Sequence, residues 1–175
     1  IDLPQEAGIQ DVFRHLATDQ ARTAAIAAEV MAAYGQGRKL LVLTERTEHL
    51  DAIQTALSDK VSTLFVLHGR VSRKQRSVLI AVLNALPPDA SRVLLATGKL
   101  VGEGFDHPPL DTLVLAMPVS WKGTLQQYAG RLHRQHASKT DVRIIDFVDT
   151  GHPALLRMWD KRQRGYRAMG YRVAF

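Results

Sequence analysis

Apolar positions along this chain gather into five short runs, and the segments between them repeat apolar residues at helical spacing. The runs lie at 40–44, 62–68, 93–97, 112–117 and 142–148. Each is rich in Leu, Val or Ile and bounded by polar or turn-forming residues, as buried strands are. The helical segments between them fall near 46–58, 72–86 and 122–133. Such alternation predicts βαβ units and a doubly wound sheet. The expected fold is therefore one three-layer α/β/α domain, with a mostly parallel sheet of about five to six strands. An N-terminal helix is expected over Thr18–Tyr34, with Ile26, Val30 and Ala33 at helical spacing. Thr18 or Asp19 would cap it and Gly35 would stop it. Residues 1–17 are expected to be a linker, 18–150 the domain, and 151–175 a basic C-terminal helix running from His152 to Met169.

Composition narrows the class. With 175 residues, 46% hydrophobic and 23% charged, the chain can bury one real core. Its net charge of +6 favours an anionic partner, with nucleic acid first. Cysteine is absent, which removes disulfides and thiolate chemistry and fits a cytoplasmic protein. No apolar run reaches the ~18 residues of a membrane span. The first residues lack the basic and apolar regions of a signal peptide. The chain starts at Ile1 rather than Met, so it is expected to be a piece of a longer protein.

The chemistry concentrates in a few segments. Gln127-Tyr-Ala-Gly130-Arg131-Leu-His-Arg134 sets Gln127, Arg131 and Arg134 at i, i+4 and i+7, one face of a helix. Gly130 weakens a helix, which close approach of another surface would explain. Two guanidiniums one turn apart fork well onto polyphosphate oxygens; a solvated basic face is the plain alternative. Upstream, the run 92–97 ends in Thr97 and opens into a loop carrying Gly98, Gly102, Gly104 and Asp106. A Gly-rich loop at the carboxyl end of a parallel strand is where α/β proteins hold ligands, and its N–H groups can approach phosphates. Asp106, just before His107-Pro108-Pro109, could instead cap a turn. Thr44 ends the first run ahead of Glu45 and Arg46; its hydroxyl could meet a phosphate or cap the following helix. After Gly69, the residues Arg70, Arg73, Lys74 and Arg76 form a second basic cluster, with Ser72 placed as an N-cap. In the C-terminal helix, Arg157, Lys161, Arg162, Arg164 and Arg167 interleave with Trp159, and Tyr166 and Tyr171 follow. That mixture suits base stacking with phosphate contact, or packing on the sheet. There is no G-x-x-x-x-G-K-[ST] phosphate cradle. Ile144-Ile-Asp146-Phe-Val-Asp149 therefore reads as a last strand rather than a metal-nucleotide strand. His133 and His136 lack a third ligand nearby, so no metal site is expected.

In order and spacing, these segments resemble the C-terminal motor domain of superfamily 2 helicases, the second RecA-like domain, over about Lys39 to Val148. Leu40–Arg46 is similar to motif IV, His68–Arg76 to motif IVa, Val93–Asp106 to motif V, and Gln127–Arg134 to motif VI. The resemblance implies that Arg131 and Arg134 reach ATP held by a partner domain, with Gly102, Gly104, Asp106 and Gln127 on the nucleotide side. It implies a track for DNA or RNA at Thr44, Arg46, Gly69, Arg70, Arg73, Thr97 and Gly98. It also implies an N-terminal RecA-like domain supplying the P-loop and the acidic pair for Mg²⁺, so this chain alone would be inactive. The Thr-Glu-Arg-x-x-His-Leu phrase and the C-terminal tail resemble helicases tied to type III restriction subunits and conflict systems. Two other classes remain open. One is a basic nucleic-acid-binding module that needs no ATP. The other is a small-molecule enzyme on the Gly98–Asp106 loop, for which the chain shows no complete catalytic set.

Overall fold

The computed structural model of the chain describes residues 8–68, 71–97, 105–118, 124–132 and 141–175. Five strands form one parallel sheet: β1 (Lys39–Thr44), β2 (Leu64–Leu67), β3 (Arg92–Thr97), β4 (Thr112–Leu115) and β5 (Arg143–Asp146), in the order β2-β3-β1-β4-β5. The helices are α1 (Ile9–Thr18), α2 (Gln20–Gly35), α3 (Thr47–Leu57), α4 (Arg73–Asn84), α5 (Thr124–Leu132) and α6 (Pro153–Ala168). Along β1, Leu40 and Val42 point to one face and Leu41 and Leu43 to the other, the two-residue alternation of any strand. Leu40, Val42, Val93, Leu95 and Val114 join Ile26, Val30, Leu50, Ile53 and Leu57 of α2 and α3 in one core. Leu41, Leu43, Leu94, Leu113 and Leu115 join Leu83, Leu125, Tyr128, Leu132 and Tyr166 of α4, α5 and α6 in the other. Both faces are covered, which is why the strands read as unbroken apolar runs rather than alternating ones.

The N-terminal region differs from expectation. Two helices stand there, not one, and Asp19 separates them as the N-cap of α2, its side chain accepting the Arg22 N–H at 3.1 Å. The expected Thr18 start is the last residue of α1. Gly35 lies inside α2; Gly37 takes the left-handed turn at φ 83° that ends it. Residues expected as linker include α1, whose Val12 and Leu16 are fully buried against Met117 and Leu155.

The last helix is bound through polar groups. Asp146 of β5 accepts from Arg162 Nε at 2.7 Å, Arg162 Nη2 at 3.0 Å and the Tyr166 hydroxyl at 2.7 Å. Tyr166 is held far above the usual phenol range, by burial first and then by the Asp146 charge. Arg162 also lies over the Trp159 ring, 5.5 Å from its centroid. Trp159 and Tyr171 pack against the core with Tyr166, so the packing alternative holds for these aromatics. Arg157, Lys161, Arg164 and Arg167 remain on the exposed side.

Candidate functional site

Strand order does what sequence order conceals. The candidate track residues follow β1, β2 and β3, and these three strands are neighbours in the sheet. Thr44 and Thr97 are register partners at the carboxyl ends of β1 and β3, about 4.8 Å apart across the ladder. At the β4 end of the same edge, α1 packs on Met117. The β1, β2 and β3 ends instead carry Glu45, His68 and Thr97, each with exposed surface. This is the carboxyl-edge crevice where open α/β sheets receive ligands.

The side chains at this edge are not all available. Thr44 is 1% exposed and its Oγ1 lies 2.8 Å from His49 Nδ1 of α3. Thr44 therefore neither caps α3, whose N-cap is Arg46 with no side-chain cap bond, nor turns its hydroxyl outward. Arg46 is folded onto Glu48 at 2.6 Å, with Gln10 of α1 at 3.4 Å. Arg73 is exposed in the first turn of α4, which Ser72 caps as expected, in a reciprocal box with Gln75. Gly69, Arg70 and Gly98 lie outside the described residues.

His49 escaped the sequence reading as a functional group, and so did the network around it. It is fully buried, and its Nε2 meets no partner among the described residues. Burial first, and then the Arg22 charge, push its pKa down to about 4. Arg22 of α2 donates to both oxygens of Asp149 at 2.9 Å and to the Ala116 carbonyl at 2.6 Å. The carboxyl ends of β1, β4 and β5 are thus tied from beneath by α2 and α3. A histidine whose folded pKa lies below its unfolded 6.5 makes the unfolded state bind more protons between those values. The stability it contributes is complete above pH 6.5 and is lost as pH falls toward 4. At 1.36 kcal/mol per pH unit the loss is about 3 kcal/mol. Urea titrations at pH 7 and pH 4.5 should show a smaller drop for His49→Asn than for wild type. Equal drops would remove His49 from the acid response.

The second group of candidates sits elsewhere. Asp106 is exposed between two anchored neighbours: Phe105 is in the core shared with α4, α5 and α6, and His107 is buried. Arg92 Nη1 lies 3.0 Å from His107 Nε2, and His107 Nδ1 lies 2.8 Å from Asn84 Oδ1. A guanidinium only donates, so Nε2 accepts and Nδ1–H donates to Asn84. The turn here closes from Leu110 N–H to the His107 carbonyl. Because Arg92 opens β3, His107 lies toward the amino edge, away from Thr97. Helix α5 likewise returns the chain from the end of β4 to the start of β5, so Arg131 lies one turn, about 5–6 Å, farther from the carboxyl edge than Gln127. Tyr128 and Leu132 of α5 share the Phe105 core. The loop bearing Asp106 and the helix bearing Gln127 and Arg131 are thus fixed to one body on one face of the sheet. The side chains of Gln127 and Arg131, and all of Gly102, Gly104, His133, Arg134 and His136, lie outside the described residues. Asp146 and Asp149 are committed to Arg162 and Arg22, consistent with their reading as a structural last strand.

Residues 22–136 match the family described as "Helicase conserved C-terminal domain". The chain is 40% identical over 84 residues to uncharacterized protein 108L of Invertebrate iridescent virus 3, covering 47% of this chain and 74% of that protein. It is 25% identical over 137 residues to probable helicase D10 of Escherichia phage T5, covering 78% of this chain but 30% of D10. Its fold is similar to the crystal structure of T4 UvsW, with TM-score 0.75 at 18% identity, over 95% of this chain and 36% of that one. The domain is RecA-like, and the chain spans about a third of the length of these helicase relatives. Among the described residues no helix is long and apolar enough to cross a membrane.

Proposed function

Because the chain belongs to the helicase conserved C-terminal domain family, we propose that it is the second motor half of an ATP-dependent superfamily 2 helicase or translocase acting on nucleic acid. An N-terminal RecA-like domain of the same protein holds ATP and Mg²⁺. This half brings Arg131 and Arg134 to the γ-phosphate, where guanidiniums stabilise the charge that develops as the phosphoryl group leaves. Gln127, Gly102, Gly104 and Asp106 stand on that nucleotide side. DNA or RNA runs along the carboxyl ends of β1, β3 and β2, contacted by Arg46, Gly69, Arg70, Arg73, Thr97 and Gly98. Thr44 supports the track through its backbone rather than its hydroxyl. The narrower kinship with restriction-associated helicases rests on the Thr44–Leu50 phrase and the C-terminal tail alone.

The observation that carries this reading is the separation of two groups on one rigid body. Thr44 and Thr97 meet at one sheet edge, while Phe105, beside Asp106, joins Tyr128 and Leu132 of α5 in the core on one face of the sheet. A motor needs that separation, because ATP chemistry must be felt by a nucleic acid it does not touch.

Contacts at the track go to phosphates, so binding should tolerate any sequence and weaken steeply with salt. Full-length protein should bind unrelated single strands with similar affinity. In Arg70→Ala with Arg73→Ala, the slope of log affinity against log salt should shrink by about one per lost contact. Equal slopes for the two proteins would take these arginines off the track.

A further inference from the structure

The second half of helix α4 is apolar on the side where a surface helix should be polar. Its inner residues Leu79, Ile80 and Leu83 pack into the core. Its outer residues Lys74, Ser77, Val78, Ala81, Val82 and Ala85 recur every three or four positions and are exposed, Val78 by 57% and Val82 by 50%. From Val78 to Leu83 there is no polar side chain on either face. A helix that is apolar all round is normally covered. Val71 and His68 extend the patch as a shallow depression that also takes in Lys74, Gln75, Val78 and Leu79.

Charge says what would cover it. Between Asp59 and Asp89 the sequence has no acid, but it carries Lys60, Arg70, Arg73, Lys74 and Arg76. The first turn of α4 contains no acid, although the positive end of a helix favours carboxylates there. We propose that the outer face of α4 docks an acidic amphipathic helix of a partner protein. Its aliphatic side chains cover Val78 and Val82, and its carboxylates meet Arg73 and Lys74, the helix-on-groove mode of peptide recognition. A nucleic-acid strand fits less well. It would satisfy the cations, yet the only ring on this face is His68 at its rim, and the valines would stay in water. A second copy of this chain would set one basic helix start in the field of another basic molecule. Arg73 also belongs to the proposed track, but Val78 and Val82 lie about 8 and 13 Å farther along the helix axis. The docking face therefore goes beyond the motor reading and does not depend on it.

The probe is a fluorescein-labelled helical peptide with Leu at i, i+4, i+7 and i+11 and Glu elsewhere, added to the full-length protein. A version with Lys replacing Glu and one with the Leu positions scrambled serve as controls. The acidic amphipathic peptide should bind at least tenfold more tightly than either control. Val78→Ser with Val82→Ser, both exposed and so compatible with folding, should weaken it about tenfold while leaving single-strand affinity unchanged. Lys74→Glu should weaken the acidic peptide and favour the Lys version. Equal peptide binding by wild type and the double-serine variant would overturn the proposal. So would a fall in single-strand affinity in that variant, which would assign the face to nucleic acid. Dimerisation abolished by the same substitutions would assign it to a second copy.

Discussion

In the full-length protein, Arg131→Ala and Arg134→Ala should each lower ATP turnover at least a hundredfold while changing affinity for a single strand less than threefold. The expected asymmetry follows from where the residues sit. Arg131 lies on α5, which leaves the carboxyl edge and runs back across the sheet face, whereas the track follows the ends of β1, β2 and β3. Arginines placed on a transferring phosphoryl group contribute on the order of 10³–10⁵ in rate when delivered by a partner protein. An arginine supplied within one chain acts on the same charge. Lysine at either position keeps the charge but loses the planar fork, so Arg131→Lys should recover only part of the rate. Steady-state phosphate release and fluorescence anisotropy on one set of proteins separate the two effects. Unchanged turnover in both alanine variants would remove Arg131 and Arg134 from the ATP site.

Asp146→Ala should destabilise the domain by about 3–5 kcal/mol, the cost of leaving a buried ionic partner uncompensated. Arg162 is 0% exposed and depends on Asp146 for both Nε and Nη2, and Tyr166, which anchors α6 in the core, donates to the same carboxylate. Against a typical domain stability of about 5–15 kcal/mol, the loss is large. Asp146→Asn keeps an acceptor of similar shape and should cost less. Replacing the pair with apolar residues, Asp146→Leu with Arg162→Met, should recover much of the loss, because burying the ions is itself costly. Urea unfolding of the four proteins is the check. A single-alanine loss below about 1 kcal/mol would mean that the α6 contact is held by packing alone.

Local pattern made the strands legible. The central strands β1, β3 and β4 have both faces covered, so their apolar runs are continuous. The Ser72–Gln75 start of α4 and the Asp19 cap of α2 were legible for the same reason, since capping chemistry is local. What escaped depended on partners distant in sequence. Helix α1 carries Asp11, Arg14 and His15 on its wet side and Val12, Phe13, Leu16 and Ala17 inward, so it resembles a polar linker until Met117 and Leu155 are beside it. Arg162 read as one of several basic residues of the C-terminal helix, and Arg22 and Arg92 carried no local signal. Each is fixed by a group on another element, 15 or more residues away: His107, Asp146 and Asp149. Thr44 was legible as a strand end but not as buried, because the residue that turns its hydroxyl inward is His49 on the next helix. A lone His or Arg set among apolar residues of a predicted helix or strand start was the available signal.

ATP turnover by the purified 175-residue chain, compared with the full-length protein, tests the central claim most directly. The chain carries the arginines but no phosphate cradle. With Mg²⁺ and single-stranded nucleic acid present, it should release phosphate no faster than a protein-free control, while the full-length protein turns over steadily. Steady turnover by the chain alone, abolished by chelating Mg²⁺, would contradict its assignment as one half of a motor.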